Sequence, residues 1–157
     1  MLEDYTAIRE IIVKGREERH ALFNLISGAF IRRTVNIARA NSILASKGEL
    51  TRIKISLASS IVRLRDINSD DKTIKNYADE AVRIFSNELS SINAIIAEFS
   101  NKAGNLKQID ADWAVRNLQI DLLNTQADIL IKDLQEENLV IQKIDRKLAE
   151  IYRAKVA

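Results

Sequence analysis

The last third of the chain carries apolar residues at positions that alternate by steps of three and four. The row consists of Ile120, Leu123, Ala127, Leu130, Leu134, Glu137, Ile141, Ile144, Leu148 and Ile151. Because this spacing keeps one face of a helix turned toward a neighbour, it predicts a long helix over about residues 106–154 with a heptad seam. We interpret the isoleucines and leucines of the row as the interaction seam, which only Glu137 interrupts.

Three further segments show helical rows of the same kind. Residues 49–67 carry Leu50, Ile53, Leu57, Ser60, Leu64 and Ile67, and residues 71–102 carry Ile74, Ala78, Ala81, Phe85, Leu89, Ile92, Ile96 and Phe99. A less regular first helix is predicted over residues 2–46, with Phe23, Ile26, Phe30, Ile37 and Leu44 on one stripe. Apolar residues beyond a two-position seam predict that each helix contacts more than one neighbour.

Short polar and glycine-containing segments separate the predicted helices. Lys47 and Gly48 form a stop signal for the first helix, since glycine readily takes the left-handed conformation past a helix end. In segment 68–71 short polar side chains compete for backbone hydrogen bonds, and Ser69, Asp70 or Asp71 is a candidate cap for the third helix. Residues 103–105 predict the last turn.

Composition supports a fold made of helices alone. The chain has no proline and only four glycines, while 46% of its residues are hydrophobic, which is too many for a disordered polymer. We therefore predict an all-α, elongated antiparallel helical bundle or coiled coil of three to four long helices, forming a single domain over residues 1–157. Segment 68–71 is either a kink within one long layer or a full reversal. Both arrangements leave apolar helix surface uncovered at one end, which predicts a homo-oligomer.

Several chemistries and locations are excluded or disfavoured by the residues present. Without cysteine the chain has no disulfide, thiol nucleophile or zinc finger. Its single histidine, His20, cannot supply the paired Glu-x-x-His motifs of a di-iron bundle. We expect no cofactor, metal or small-molecule substrate. No apolar run approaches the roughly 20 residues of a membrane span, so we expect a soluble chain, with the cytoplasm favoured.

Positive charge is concentrated around the first predicted turn. Between residues 32 and 65 the charged residues are Arg32, Arg33, Arg39, Lys47, Glu49, Arg52, Lys54, Arg63 and Arg65. The eight cations form a candidate anion-binding patch for nucleic acid or acidic lipid headgroups. The alternative is intramolecular pairing with the last predicted helix, which is rich in Asp and Glu. No aromatic residues alternate with the cations, so base stacking is not predicted.

Two polar features inside the predicted helices can each be interpreted as functional or as ordinary parts of a helix. Residues 19–24, which read Arg-His-Ala-Leu-Phe-Asn, resemble the phosphoacceptor helix of histidine-kinase dimerisation domains and related phosphotransferases. This resemblance implies phosphotransfer through His20, but the acidic residue expected next to it is replaced by Ala21. Glu137 and Asn41 occupy core-like positions, where they either fix register and oligomer order or rotate to the surface.

The leading functional hypothesis is a non-enzymatic structural or adaptor protein. It would act through coiled-coil-type contacts between helices, with itself or with another helical protein as partner. The alternative is an anionic-surface binder that uses the basic region 32–65. A third hypothesis is histidine phosphotransfer at His20.

Overall fold

The computed structural model describes residues 2–31, 47–103 and 120–156. Within these ranges the chain forms four helices, α1 (Leu2–Ile31), α2 (Lys47–Arg65), α3 (Lys72–Ala103) and α4 (Ile120–Val156). The predicted all-α bundle is confirmed, and in the described residues it has four helices rather than three layers.

Segment 66–71 reverses the chain between α2 and α3. Near the segment, Arg65 and Asp79 border one groove, whereas farther from it Ala58 and Leu89 border another, so the two helices run antiparallel. Asp71 caps α3: its Oδ1 accepts a hydrogen bond from the Thr73 backbone N–H at 2.8 Å. The kinked three-layer alternative is therefore wrong, because this cap starts a separate helix beside α2.

Ion pairs fix the direction of α4 relative to α3. Arg83 Nη2 lies 2.9 Å from Glu136 Oε2, and Lys143 Nζ lies 3.7 Å from Glu80 Oε2. Later positions on α4 face earlier positions on α3, so this pair is also antiparallel. These pairs are partly exposed, and we assign each at most about 1 kcal/mol of stability.

Helix α1 packs antiparallel to α4 and closes the bundle. Arg9 Nε lies 2.6 Å from Asp145 Oδ1, and Arg16 donates a hydrogen bond to Asn138 Oδ1 farther along both helices. The order around the bundle is thus α1, α2, α3, α4, with α1 diagonal to α3 and α2 diagonal to α4.

The core lies along the bundle axis and draws on all four helices. It consists of Tyr5, Ile8, Ile11, Ile12, Leu50, Ile53, Leu57, Ile61, Leu64, Ile74, Ala78, Ala81, Ile84, Phe85, Ile92, Ile95, Leu130, Val140 and Ile144. Tyr5 and Phe85 are its largest fully buried side chains. The Tyr5 ring centroid lies 6.0 Å from that of Tyr77, at an angle of 58° between the planes. This tilted pair joins the diagonal helices near segment 66–71.

Small residues line the contact between α1 and α2. Gly15 is buried there, and together with Ser56, Ser59 and Ser60 it borders a cavity of about 110 Å³. A glycine here leaves room for the neighbouring helix, which offsets its low helix propensity.

Some predicted helix limits differ from the structure. The stop expected at Lys47 and Gly48 is wrong, because both residues lie in the first turn of α2, where glycine is tolerated. Helix α4 continues to Val156, two residues past the predicted end. The predicted parts of the first helix over 32–46 and of the last over 106–119 lie outside the described residues.

Candidate functional site

The predicted interaction seam lies in the interior of the chain's own bundle. Leu130 and Ile144 are buried, and four further members pack half-buried against the core: Leu134, Ile141, Leu148 and Ile151. Ile120, Leu123 and Ala127 lie in α4, but their side chains are outside those that the structure describes. Two members of the described seam are therefore covered within the chain, and the other four are only partly covered.

The most deeply buried row on α4 differs from the predicted seam. It runs through Leu130, Asp133, Glu137, Val140 and Ile144, with Asp133 only 3% and Glu137 only 1% exposed. The reading in which Glu137 rotates to the surface is wrong. Asn41, its counterpart in the first predicted helix, lies outside the described residues. Asp133 was missed because stepping from Leu130 to Leu134 keeps the row apolar, whereas the helix turns position 133 inward.

Further carboxylates on α3 are buried in the same bundle. Glu88 is fully buried and Glu98 nearly so. Burial raises the pKa of Asp133 to about 6, and the nearby Glu136 adds to the rise while Arg83 opposes it. Among the described residues, Asp133 Oδ2 is buried without a hydrogen-bond partner. Asp133 is thus a buried acid whose pKa lies well above that of an ordinary aspartate.

These acids do not form a recognisable metal centre. In the portion of the chain that the structure covers, no group of three or more Asp, Glu or His side chains is arranged to hold a metal ion. His20 lies in α1, but its side chain is among those not described, so the phosphotransfer hypothesis stays a prediction.

Half of the predicted anion-binding patch can be placed. Arg52, Lys54, Arg63 and Arg65 are all exposed on α2. At 100° per residue, Lys54 and Arg65 lie on the side of α2 nearer α3, and the other two on the side nearer α1. Arg32, Arg33 and Arg39 lie outside the described residues, as does the side chain of Lys47.

Two described acids of α4 pair with helices other than α2. Asp145 contacts Arg9 on α1, and Glu136 contacts Arg83 on α3. The expected pairing between the basic region and the last helix is disfavoured for a geometric reason, because α2 and α4 are diagonal across the bundle.

The outer face of α2 carries an apolar stripe that the sequence analysis missed. Ile55 is 65% exposed and Val62 is 56% exposed, and Ala58, also exposed, lies between them. Their spacing of three and four is a second row on the same helix, offset from the buried row of Leu50, Ile53 and Leu57. We name Ile55, Ala58 and Val62 the α2 stripe. This second row is visible in the sequence and could have indicated the stripe.

Two members of the α2 stripe, Ala58 and Val62, line a groove between α2 and α3. The groove has a volume of about 330 Å³ and is lined by Ala58, Ile61, Val62, Arg65, Ser86 and Leu89. Leu89 and Ile61 form apolar walls, and Arg65 places a cation at the edge. We name this feature the α2–α3 groove. It combines an apolar surface with a positive charge at its edge.

Over the described residues the fold is an antiparallel bundle of four helices. Comparison with family models, with curated proteins and with solved structures found no match. Within the described ranges no helix is both long and apolar enough to cross a lipid bilayer. Any functional assignment therefore depends on the surfaces described above.

Proposed function

We propose that this protein is a non-enzymatic structural or adaptor module that binds a helical partner through the α2–α3 groove. One observation carries the proposal: Ile55 and Val62 stay exposed on a helix whose opposite face is fully buried. Isolated exposed hydrophobes are ordinary, but a stripe at helical spacing beside an apolar groove is typical of an interaction surface.

The size of the surface predicts moderate affinity. Full burial of an isoleucine or valine side chain contributes about 1.5–3 kcal/mol, and both residues are already partly covered. Covering the α2 stripe would then contribute on the order of 3 kcal/mol before the cost of association. Such a value fits a reversible adaptor contact or one part of a larger interface.

The seam of α4 supports the structural side of the proposal. Because Leu130 and Ile144 are covered within the chain, a partner or a second copy would use the outside of the bundle rather than this seam. Any self-association would therefore use the α2–α3 groove or another outer face of the bundle.

The experiment compares three forms of the full chain: wild type, Ile55→Asp with Val62→Asp, and Leu139→Asp. Leu139 is 54% exposed on α4 and serves as the matched control for a new surface charge. We expect the wild type and the control to retain the same proteins in quantitative affinity enrichment, or to share one oligomeric mass in light scattering. The double variant should lose that partner or become monomeric. A wild-type monomer that retains no protein in a stripe-dependent way would contradict the proposal.

A second candidate function is binding to an anionic surface, favoured by the exposure of Arg52, Lys54, Arg63 and Arg65. It predicts affinity for duplex nucleic acid or acidic vesicles that falls steeply with salt. Charge reversal at Arg52 and Lys54 should weaken such binding at least tenfold. Binding that survives this change, measured by anisotropy or vesicle sedimentation, would rule out this role for α2.

A further inference from the structure

We propose that the occupant of the α2–α3 groove is an acidic amphipathic helix from another protein. This inference rests on the proposed function and specifies the chemistry of the partner.

The shape of the groove fits a helix. Ile55 and Val62 are seven positions apart, which spans about 10 Å along α2, or two helical turns. Leu89 on α3 is half-buried and lies opposite this stretch. A partner helix with apolar residues at steps of three and four would place successive side chains along the same two turns.

Lys54 and Arg65 place positive charge at the α2 edge of the groove, while Asp79 of α3 borders the adjoining groove beside Arg65. Lys54 and Arg65 are exposed on the groove side of α2, near opposite ends of the stripe. Across the groove, the lining residues from α3 are Ser86 and Leu89, which are uncharged. Acidic residues flanking the seam of a partner would lie close to Lys54 and Arg65, and this would set both specificity and rate of association.

A second copy of α2 is disfavoured by the same charges. Two stripes packed antiparallel would meet at Ala58 and bring Lys54 of one copy near Arg65 of the other. Like charges across a helix interface are repulsive. Charge repulsion at both ends would therefore oppose the packing of the two apolar stripes.

The other described faces of a second copy do not combine acid with hydrophobe. On α1 the exposed Glu3, Glu10 and Glu17 share one face, but the large exposed hydrophobes of the described side chains lie on α2 and α4. On α4 those hydrophobes, Ile129, Leu139 and Tyr152, are ten or more positions apart and form no seam.

A membrane surface is a poorer fit than a helix. A flat bilayer would contact the protruding Ile55 and Val62 but not the half-buried Leu89 within the groove. The groove lining contains no aromatic residue of the kind enriched at membrane interfaces. The concave apolar wall therefore favours a partner that presents discrete side chains.

The test is selection from a displayed library of helical peptides against the full-length wild-type protein. The library keeps leucine at the seam positions and allows Glu, Gln or Lys at the flanking positions. Counter-selection uses Val62→Asp, so that only groove-dependent binders are enriched. We expect glutamate to dominate the flanks, and the best peptide to bind at least tenfold more tightly than its lysine-flanked counterpart.

A charge-swapped protein provides the decisive comparison. In the variant Lys54→Glu with Arg65→Glu, the preference should invert toward lysine-flanked peptides, while Leu139→Asp should leave it unchanged. Groove-dependent peptides with neutral or basic flanks on the wild type would overturn the acidic specificity but leave the docking function standing. A library without groove-dependent binders would overturn both. Preferential binding of the wild type to phosphatidylserine vesicles, lost in Val62→Asp, would show that the stripe binds a membrane and would overturn the helical partner.

Discussion

The outer face of α2 and the interior between α3 and α4 depart from an ordinary bundle in opposite directions. On α2, Ile55 and Val62 lie in solvent, whereas Asp133, Glu137 and Glu88 are buried among isoleucines and leucines. Hydrophobic residues outside and carboxylates inside both oppose the distribution that the hydrophobic effect favours. The two regions therefore mark where the sequence serves something other than maximal stability.

The two departures affect different properties of the protein. The α2 stripe lies at the surface, and under the proposed function its consequence is the binding of a partner. Burial raises the pKa of Asp133, so the consequence of this buried acid is a pH dependence of the folded state. Substitutions in the two regions should accordingly change different measurements.

The largest effect is expected where apolar packing surrounds the buried acids. Ile144→Ala on α4 should lower the free energy of unfolding by about 2–5 kcal/mol, because Ile144 is fully buried and its truncation leaves a cavity. Leu139→Ala on the same helix should change it by less than about 0.5 kcal/mol. Urea denaturation of both variants measures this contrast. Equal small effects would mean that the acid-containing interior is loosely packed, and the comparison would fail.

An intermediate effect is expected at Asp133. Its pKa is raised from 3.8 to about 6 by burial, so the folded chain holds a proton that the unfolded chain has lost. Below pH 4 Asp133 is protonated in both the folded and the unfolded state, so it does not make the free energy of unfolding depend on pH. Between about pH 4 and pH 6 the unfolded chain loses this proton while the folded chain keeps it, so stability falls by up to about 3 kcal/mol. Above pH 6 the folded state also carries the charge, and the loss is complete.

Asp133→Asn removes this charge and should stabilise the protein at pH 7.5 by roughly 1–3 kcal/mol. The gain should disappear near pH 4. The exposed Asp128, on the same helix, provides the control variant Asp128→Asn, which should leave the pH dependence as in the wild type. Thermal or urea unfolding across pH 4–8 tests this. A gain that is the same at every pH would show that Asp133 is not the titrating group.

The smallest effect on stability is expected at the α2 stripe. Val62→Ser should change the free energy of unfolding by no more than about 0.5 kcal/mol, because Val62 is 56% exposed. The same variant should abolish groove-dependent binding. A loss of stability near 2 kcal/mol, measured in urea, would place Val62 in the core and remove the contrast between the two regions.

Hydrophobic periodicity predicted most of the fold. The row Leu50, Ile53, Leu57 and Leu64 is buried as expected, and the break at 68–71 coincides with the cap by Asp71. The reversal was left open because polar residues mark an interruption but do not fix the angle between helices. That angle depends on how α2 and α3 pack, which involves residues far apart in the sequence.

The candidate site was only partly predictable. The exposure of Lys54 and Arg65 follows from their charge, since long cations are rarely buried. The α2 stripe was missed because Ile55 and Val62 fit a helix that contacts several neighbours equally well. The placement of the surrounding helices decides which of the two apolar rows on α2 faces inward. It also decides whether position 133 or position 134 of α4 does so.

The shortness of segment 66–71 has a consequence for the order of folding. The two helices that it joins can pair after closing a small loop, whereas Arg9 and Asp145 are 136 positions apart when they meet. Along the chain α1 is separated from its main packing partner, α4, by both α2 and α3. We therefore expect the α2–α3 hairpin to form before α1 and α4 meet, because its loop closes at a lower entropic cost.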